Sequence, residues 1–172
     1  MPLHEVKLSP DIVARVTRRR GGKLHAYDTI APDTTALVVI DMQNVWVKEG
    51  MPAYSQFCEA IVPNINRLAG ATRQAGGKVI WVRAIYGDDA PRTWSAYMDF
   101  LDRGQLEDML TALTDGNEGA ALWHDLDVQP EDEITIKRRF SALIQGSSDL
   151  GERLSKAGID TLIITCLLYT SD

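Results

Sequence analysis

The chain has 172 residues, which suffices for one domain with a substantial hydrophobic core but not for two. Its hydrophobic fraction of 45% is ordinary for a globular protein, and its net charge of −6 gives nucleic acid no electrostatic support. The chain has no apolar run near the ~20 residues of a membrane span, so we expect no membrane partner. It has no apolar N-terminal stretch and only two cysteines, which predicts a cytoplasmic protein. Its negative charge predicts no nucleic-acid partner.

The first half of the sequence predicts an arm, a strand and a helix. Residues 1–35 are polar, contain three prolines and are predicted to form an N-terminal arm. The apolar run ALVVID at 36–41 is typical of a strand buried on both faces. Apolar residues at helical spacing over 61–69 predict a helix that has Pro63 in its first turn and ends at a Gly-Gly pair.

The second half alternates strands with helices. The run KVIWVRA predicts a second buried strand at 78–84, and the long insert after it is predicted to be helical at 94–101 and 106–113. A third strand is predicted at about 133–137. The next helix should have Ser147 or Ser148 as its N-cap, and the run TLIIT predicts a fourth strand.

This alternation predicts an α/β fold with a doubly wound parallel sheet in three αβα layers. The first three strands should wind in one direction, which gives the order 3-2-1. If the fourth lies on the other side of the first, the order reverses between strands 1 and 4. Ligands in such sheets bind outside the carboxyl ends of the strands at the reversal, and we therefore expect the functional site there.

Three chemically useful residues stand at or near the predicted strand ends. Asp41 ends strand 1, Lys137 ends strand 3 and Cys166 follows strand 4. Taken singly, Asp41 could cap its loop, Lys137 could be a solvated cation and Cys166 could be a buried thiol. Their joint placement favours a shared site. The first turn reads DMQN instead of a glycine-rich phosphate loop, and we expect neither a dinucleotide nor another cofactor, and no metal.

At these residues the sequence resembles the isochorismatase-like cysteine hydrolases, which act on small molecules. The segments TALVVIDMQN, ITIKRRFSAL and LSKAGIDTLIIT resemble the family's first, third and fourth strand regions, and the similarity covers about residues 30–165. The resemblance implies the sheet order 3-2-1-4-5-6 and a catalytic Asp, Lys and Cys. Asp41 and Lys137 match the first two of these positions.

The third catalytic position does not match. The family continues strand 4 as Gly-Val-Ala-Thr-Asn-Val-Cys, which places the glycine at Cys166 and the nucleophile at Asp172. The tail CLLYTSD at 166–172 instead matches the translation of a sequencing-library transposon adapter. We therefore expect native sequence to end at Thr165, within an incomplete hydrolase domain at 36–165 that lacks strands 5 and 6. Cys166 is only a weak substitute nucleophile.

The resemblance implies hydrolysis of an amide or carbamoyl C–N bond through a thioester-type intermediate. Asp41 would act as general base and then acid, and Lys137 would favour the thiolate. Other residues near the predicted strand ends are candidates for contacting substrate. Gln43 and Asn44 could orient either substrate or the Asp41 carboxylate, and Arg83, Trp46 and Trp81 could line the mouth of the pocket, although both tryptophans are at least as compatible with the core. Of these, the substrate-binding candidates are Gln43, Asn44, Trp46 and Arg83.

Two other functions stay open at this point. One is an isochorismatase-type vinyl-ether hydrolase, in which an aspartate acts as acid and no cysteine is needed. The other is a catalytically inactive partial α/β module, since the chain as it stands lacks the nucleophile. We expect the full-length protein to be a homo-oligomer. In this chain strand 4 would form an unprotected apolar edge, which predicts poor solubility.

Overall fold

The structure is a computed structural model that describes residues 8–87 and 89–166. It divides into two compact units at Ala31 and Pro32, close to the predicted end of the arm. Eleven α-helices and β-strands lie in the described residues, together with two short 3-10 helices at Pro32–Thr34 and Glu118–Ala120. In chain order the α-helices and β-strands are α1 (Pro10–Arg19), β1 (Thr35–Ile40), α2 (Asn44–Val47), α3 (Gln56–Gln74), β2 (Lys78–Ala84), α4 (Ala90–Thr93), α5 (Ser95–Met98), α6 (Arg103–Ala112), β3 (Glu133–Lys137), α7 (Leu150–Lys156) and β4 (Thr161–Cys166).

The strands form a parallel sheet with the order β3-β2-β1-β4. This confirms the predicted α/β fold class and the predicted order of these strands. Every residue of β1 is buried, because β1 lies at the centre of the sheet and is covered on both faces. The sheet order reverses at β1, between β2 on one side and β4 on the other.

Two hydrophobic layers pack against opposite faces of the sheet. Successive residues of a strand point to opposite faces, so β1 contributes to both layers. Leu37 and Val39 pack in the larger layer with α3 residues such as Ile65. Ala36, Val38 and Ile40 pack in the other layer, with Leu150 and Leu154 of α7. The sheet is therefore the middle layer of three.

Helix α1 lies in a segment that the sequence analysis treated only as a polar arm. Pro10 occupies the first turn, where its missing N–H costs no hydrogen bond, and Arg18 and Arg19 lie in the last turn, where cations complement the helix dipole. No residue of α1 is buried. The prediction missed the helix because the polar composition and the prolines of this segment were given more weight than the helical spacing of Ile12, Val13 and Val16.

The predicted position of Pro63 is wrong. Helix α3 begins at Gln56, so Pro63 lies in its interior instead of its first turn. A proline there removes the hydrogen bond to the carbonyl of Glu59, four residues earlier. Pro63 and Glu59 are both exposed, so water can solvate the freed carbonyl. Helix α7 also starts later than predicted, at Leu150, whose N–H donates to the Ser148 side chain at 3.1 Å.

An ionic network fixes the amino ends of β2 and β3. Asp132 accepts hydrogen bonds from Arg73 at 2.7 and 2.8 Å and from the Trp81 indole at 2.8 Å. Burial alone would raise the pKa of Asp132. The hydrogen bonds from Arg73 and Trp81, a further hydrogen bond from the Gln129 main chain and the positive charge of Arg73 together hold this pKa below its ordinary value. The end of α3 is thereby tied to the start of β3.

Candidate active site

Asp41 follows the last residue of β1 in an uncommon backbone conformation. Its φ is +60°, in the left-handed region that aspartate tolerates better than most residues. Its N–H donates to the Val82 carbonyl at 3.0 Å, and its own carbonyl accepts from the Gln43 N–H at 2.8 Å. The chain therefore turns sharply at the carboxyl edge of the sheet and places the Asp41 side chain there. Such backbone outliers are concentrated at functional sites.

Lys137 reaches Asp41 from two strands away. It ends β3, while Asp41 follows β1, and the intervening strand β2 has Ala84 in register with Lys137. The Lys137 Nζ lies 2.8 Å from the Asp41 Oδ2. Adjacent strands are about 4.8 Å apart, so the long lysine side chain must cross β2. We infer that the small side chain of Ala84 leaves it room to do so.

Both partners of this ion pair are almost fully buried, with 4% of the Lys137 side chain and 3% of the Asp41 side chain exposed. The Lys137 Nζ also donates to the main-chain oxygen of Phe140 at 2.5 Å. Removing two charges from water carries a desolvation cost that their attraction does not reliably repay. Stability is therefore a poor reason for this pair to exist, and its location at the sheet reversal suggests chemistry.

The end of β4 lies next to this pair. Cys166 is the last residue of β4, and its main chain is in register with Ile40, which directly precedes Asp41. Residue 172, which the family resemblance aligns with the nucleophile, lies outside the described residues. Strand β4, which leads into the expected nucleophile loop, is thus the neighbour of β1, which leads into Asp41.

Cys58, the other cysteine, has a different environment. It lies in the first turn of α3 within the larger hydrophobic layer and is 2% exposed. Burial raises the pKa of its thiol, although hydrogen bonds with Ser55 act in the opposite direction. A raised pKa disfavours the thiolate, so Cys58 has the character of a packing residue.

Gln43, a candidate for orienting either substrate or the Asp41 carboxylate, is hydrogen-bonded to the main chain. Its side chain is fully buried. Its Nε2 donates to the carbonyls of Ala84 and Ala120 at 3.0 and 2.8 Å, and its Oε1 accepts from the Ala84 N–H at 2.6 Å. These bonds tie the turn after β1 to the end of β2 and to the 118–120 segment. The geometry favours a role in positioning the Asp41 turn over direct contact with substrate.

We expect Gln43→Met to destabilise the fold by roughly 3 kcal/mol, because it leaves the main-chain polar groups of Ala84 buried without their partner. Methionine has a similar volume, so no large cavity should form. Urea denaturation monitored by tryptophan fluorescence measures the change. Gln56→Met, at an exposed glutamine, is the control and should change stability little. Equal effects of the two substitutions would contradict the positioning role of Gln43.

The other three candidates for contacting substrate lie in different surroundings. Asn44 begins α2, and its side chain donates to the Glu118 carbonyl at 2.9 Å. Trp46 is buried in the larger hydrophobic layer and borders a cavity of about 210 Å³ with residues of α6 such as Met109. Arg83 donates to the Ala120 carbonyl at 3.0 Å and lies 3.4 Å from Asp115. All three have structural partners in these positions.

A cluster of three aromatic rings next to Lys137 was missed by the sequence analysis. The Trp94 ring meets the Phe140 ring edge-on at a centroid distance of 4.5 Å and the Tyr86 ring at 5.3 Å. Phe140 is also the residue whose carbonyl accepts from Lys137. The insert after β2 therefore packs against the segment that holds the lysine. The sequence signal was Phe140 in the KRRF segment, three residues beyond Lys137.

Over residues 8–87 and 89–166, no three His, Cys, Asp or Glu side chains are grouped so that they could hold a metal ion. No helix in those ranges combines the length and the apolar character needed to cross a membrane. A carboxylate can accept and return a proton and an ammonium can stabilise a negative charge, so the Asp41–Lys137 pair contains groups suited to both tasks.

Comparisons with known proteins identify related domains and folds. Residues 35–167 match the isochorismatase domain. A protein of Arabidopsis thaliana named probable inactive nicotinamidase is 34% identical over 76% of this chain and 64% of its own length. The N-carbamoylsarcosine amidase of an Arthrobacter species is 28% identical over 76% of this chain and 47% of its own length. A cysteine hydrolase structure from Pseudomonas syringae pv. phaseolicola aligns with a TM-score of 0.68 at 27% identity, over 81% of this chain and 62% of the hydrolase.

The chain thus spans about half to two thirds of the length of these relatives. The matched residues, 35–167, contain all four strands of the described sheet together with Asp41 and Lys137. The sheet order, the ion pair at its reversal and the domain match therefore concern the same part of the molecule. On this evidence the chain belongs to the isochorismatase domain family.

Proposed function

We propose that the protein is a hydrolase that cleaves an amide or carbamoyl C–N bond in a small molecule, with Asp41 and Lys137 in its active site. The observation that carries the proposal is the buried 2.8 Å ion pair at the carboxyl edge of the sheet, beside the end of β4. The names of two relatives, N-carbamoylsarcosine amidase and cysteine hydrolase, support this reaction class.

In the proposed reaction the nucleophile is a thiol supplied by the segment after β4. Asp41 takes the thiol proton, and the sulfur attacks the carbonyl carbon. The C–N bond breaks as Asp41 returns the proton to the leaving nitrogen, and water then hydrolyses the thioester. The Lys137 ammonium favours the thiolate, an effect that is much larger in a desolvated site than in water. Cys166 is the weaker candidate for the thiol.

A non-catalytic role is the second candidate. It is favoured by the relative named probable inactive nicotinamidase. In that case the ion pair would be retained as part of the fold alone, and substitutions that remove it would change stability without any activity to lose.

Product analysis tests the proposal. The assay uses the 172-residue chain and a longer clone in which the genomic reading frame is followed past Thr165, with small carbamoyl and amide compounds and with isochorismate. We expect the longer protein to release ammonia, iodoacetamide to abolish the release, and the 172-residue chain to show no turnover. Release of pyruvate without ammonia would support vinyl-ether hydrolysis instead. The absence of both products would support the non-catalytic role.

A separate arm of this assay concerns Cys166. If the 172-residue chain does turn over an amide, the Cys166→Ala variant identifies the thiol. Turnover that is abolished by this substitution would make Cys166 the nucleophile and would contradict the assignment to the segment after β4.

A further inference from the structure

Strand β3 is an outer strand of the sheet and has an apolar exposed surface. It pairs with β2 on one side, and in the described part of the chain no strand pairs with its other side. Ile134 is 50% exposed and Ile136 is 36% exposed. Exposed apolar edge strands readily pair with another chain, and proteins usually protect them with a charged residue, a proline or a bulge. Ile134 and Ile136, which lie between the charged ends of β3, carry none of these.

The main-chain groups of Ile134 and Ile136 point away from β2. The Lys137 carbonyl accepts from the Ile85 N–H at 3.1 Å, so the amide groups of Lys137 face β2. Successive residues of a strand direct their amide groups to alternate sides, which turns those of Ile134 and Ile136 outward. Each of these residues thus presents one N–H and one C=O in the plane of the sheet, where a further strand would bond.

The charges along β3 are arranged for antiparallel self-pairing. Three acidic residues, 131–133, precede the central Ile-Thr-Ile, and three basic residues, 137–139, follow it. Lys137 is turned towards Asp41 and Asp132 is bonded to Arg73. Glu131, however, is exposed and Arg139 is half-buried, and these two lie opposite each other in an antiparallel pair centred on Thr135. Two such strands in parallel would bring like charges together, whereas an antiparallel pair brings the acidic end of each strand to the basic end of the other.

We infer that β3 pairs antiparallel with β3 of a second copy of this chain, so that one sheet runs through both copies. The two-fold axis passes at Thr135, and Ile134 lies opposite Ile136 of the second copy. This is an isologous contact, in which the same surface is used on both sides. The inference does not depend on the proposed hydrolase activity.

The register follows from which amide groups are already bonded. A shift that pairs Ile134 with Ile134 would require the Asp132 N–H, which donates to the Gln129 carbonyl at 3.0 Å. A shift that pairs Ile136 with Ile136 would require the Arg138 N–H, which donates to the Ser147 carbonyl at 3.1 Å. Only the register centred on Thr135 uses Ile134 and Ile136 alone and also matches the charges.

Sedimentation velocity over a range of concentrations tests the interface. We expect the 172-residue chain to dimerise reversibly and Ile134→Lys to raise the dimer Kd at least tenfold, because an edge lysine opposes strand pairing. Ile164→Lys is the matched control. It makes the same change at a residue that is also 50% exposed but lies in β4, at the opposite edge, and it should alter the Kd less than twofold.

Disulfide trapping tests the register without relying on a disruptive variant. In a Cys166→Ser background, Ile134→Cys and Ile136→Cys chains are oxidised separately and as a mixture. Opposed residues of a hydrogen-bonded antiparallel pair have Cα atoms about 5.5 Å apart, within disulfide reach, whereas residues offset by two positions exceed it. We expect a cross-linked dimer from the mixture and little from either variant alone.

Three results would overturn the inference. The first is a chain that stays monomeric at all concentrations, and the second is a dimer whose Kd responds to Ile164→Lys and not to Ile134→Lys. The third is disulfide formation that is as efficient in the separate variants as in the mixture. Far-UV circular dichroism of each variant confirms that the monomer retains its fold.

Discussion

Lys137→Met is expected to lower the free energy of unfolding by roughly 3–5 kcal/mol, the usual cost of breaking a buried ion pair by removing one partner. The substitution preserves most of the side-chain volume but leaves the Asp41 carboxylate with 3% exposure and without its cation. The loss should therefore come from the uncompensated charge and not from a cavity. Urea denaturation, with the midpoint and the slope compared between variants, measures it.

Two further variants separate charge from packing in this first prediction. Lys156→Met breaks the exposed pair between Lys156 and Glu152 in α7 and should change stability by less than about 0.5 kcal/mol. Asp41→Asn combined with Lys137→Met removes both charges and should recover much of the loss. A Lys137→Met variant no less stable than Lys156→Met would show that the pair is not isolated from solvent.

Asp41→Asn is expected to reduce ammonia release by the active protein about 10²- to 10⁴-fold in kcat/KM, the range for loss of a general acid–base residue. Asparagine cannot accept the thiol proton, but it tolerates the positive φ of residue 41, so the main-chain turn should be retained. Steady-state assays on the longer clone measure the effect.

Asp115→Asn is the control for this second prediction. Asp115 also pairs with a cation, Arg83, but its side chain is 67% exposed and it lies outside the Asp41–Lys137 pair. Its substitution should leave kcat/KM within about twofold. If Asp41→Asn retains the activity of the unchanged protein, the proton is carried by another group and the proposed role of Asp41 is wrong.

The elements that sequence reasoning located correctly are those with strong local signals. The continuous apolar run of β1 reflects burial on both faces, and this alone marks it as a central strand. The reversal of strand order, and hence the meeting of Asp41 and Lys137, was predicted from the alternation of strands and helices together with the family resemblance. That contact joins residues 96 positions apart, and it was accessible because strand order determines which strand ends meet.

The features that sequence reasoning placed wrongly or missed depend on tertiary contacts, which local sequence patterns do not indicate. Pro63 in the interior of α3 is tolerated because its turn faces solvent, which becomes known only when the helix is oriented. The role of Gln43 depends on Ala84 and Ala120, which are remote in the chain and contribute only main-chain atoms. A main-chain acceptor such as the Phe140 carbonyl cannot be predicted from residue type, since every residue has a carbonyl group.

The central claim is that Asp41 and Lys137 form a catalytic pair and not merely a structural one. The most direct measurement is ammonia release by the Asp41→Asn/Lys137→Met double variant of the longer clone, with its unfolding curve recorded on the same preparation. The account predicts a protein that folds with stability near that of the unchanged chain and has no measurable turnover. A folded double variant that still releases ammonia at the original rate would contradict it.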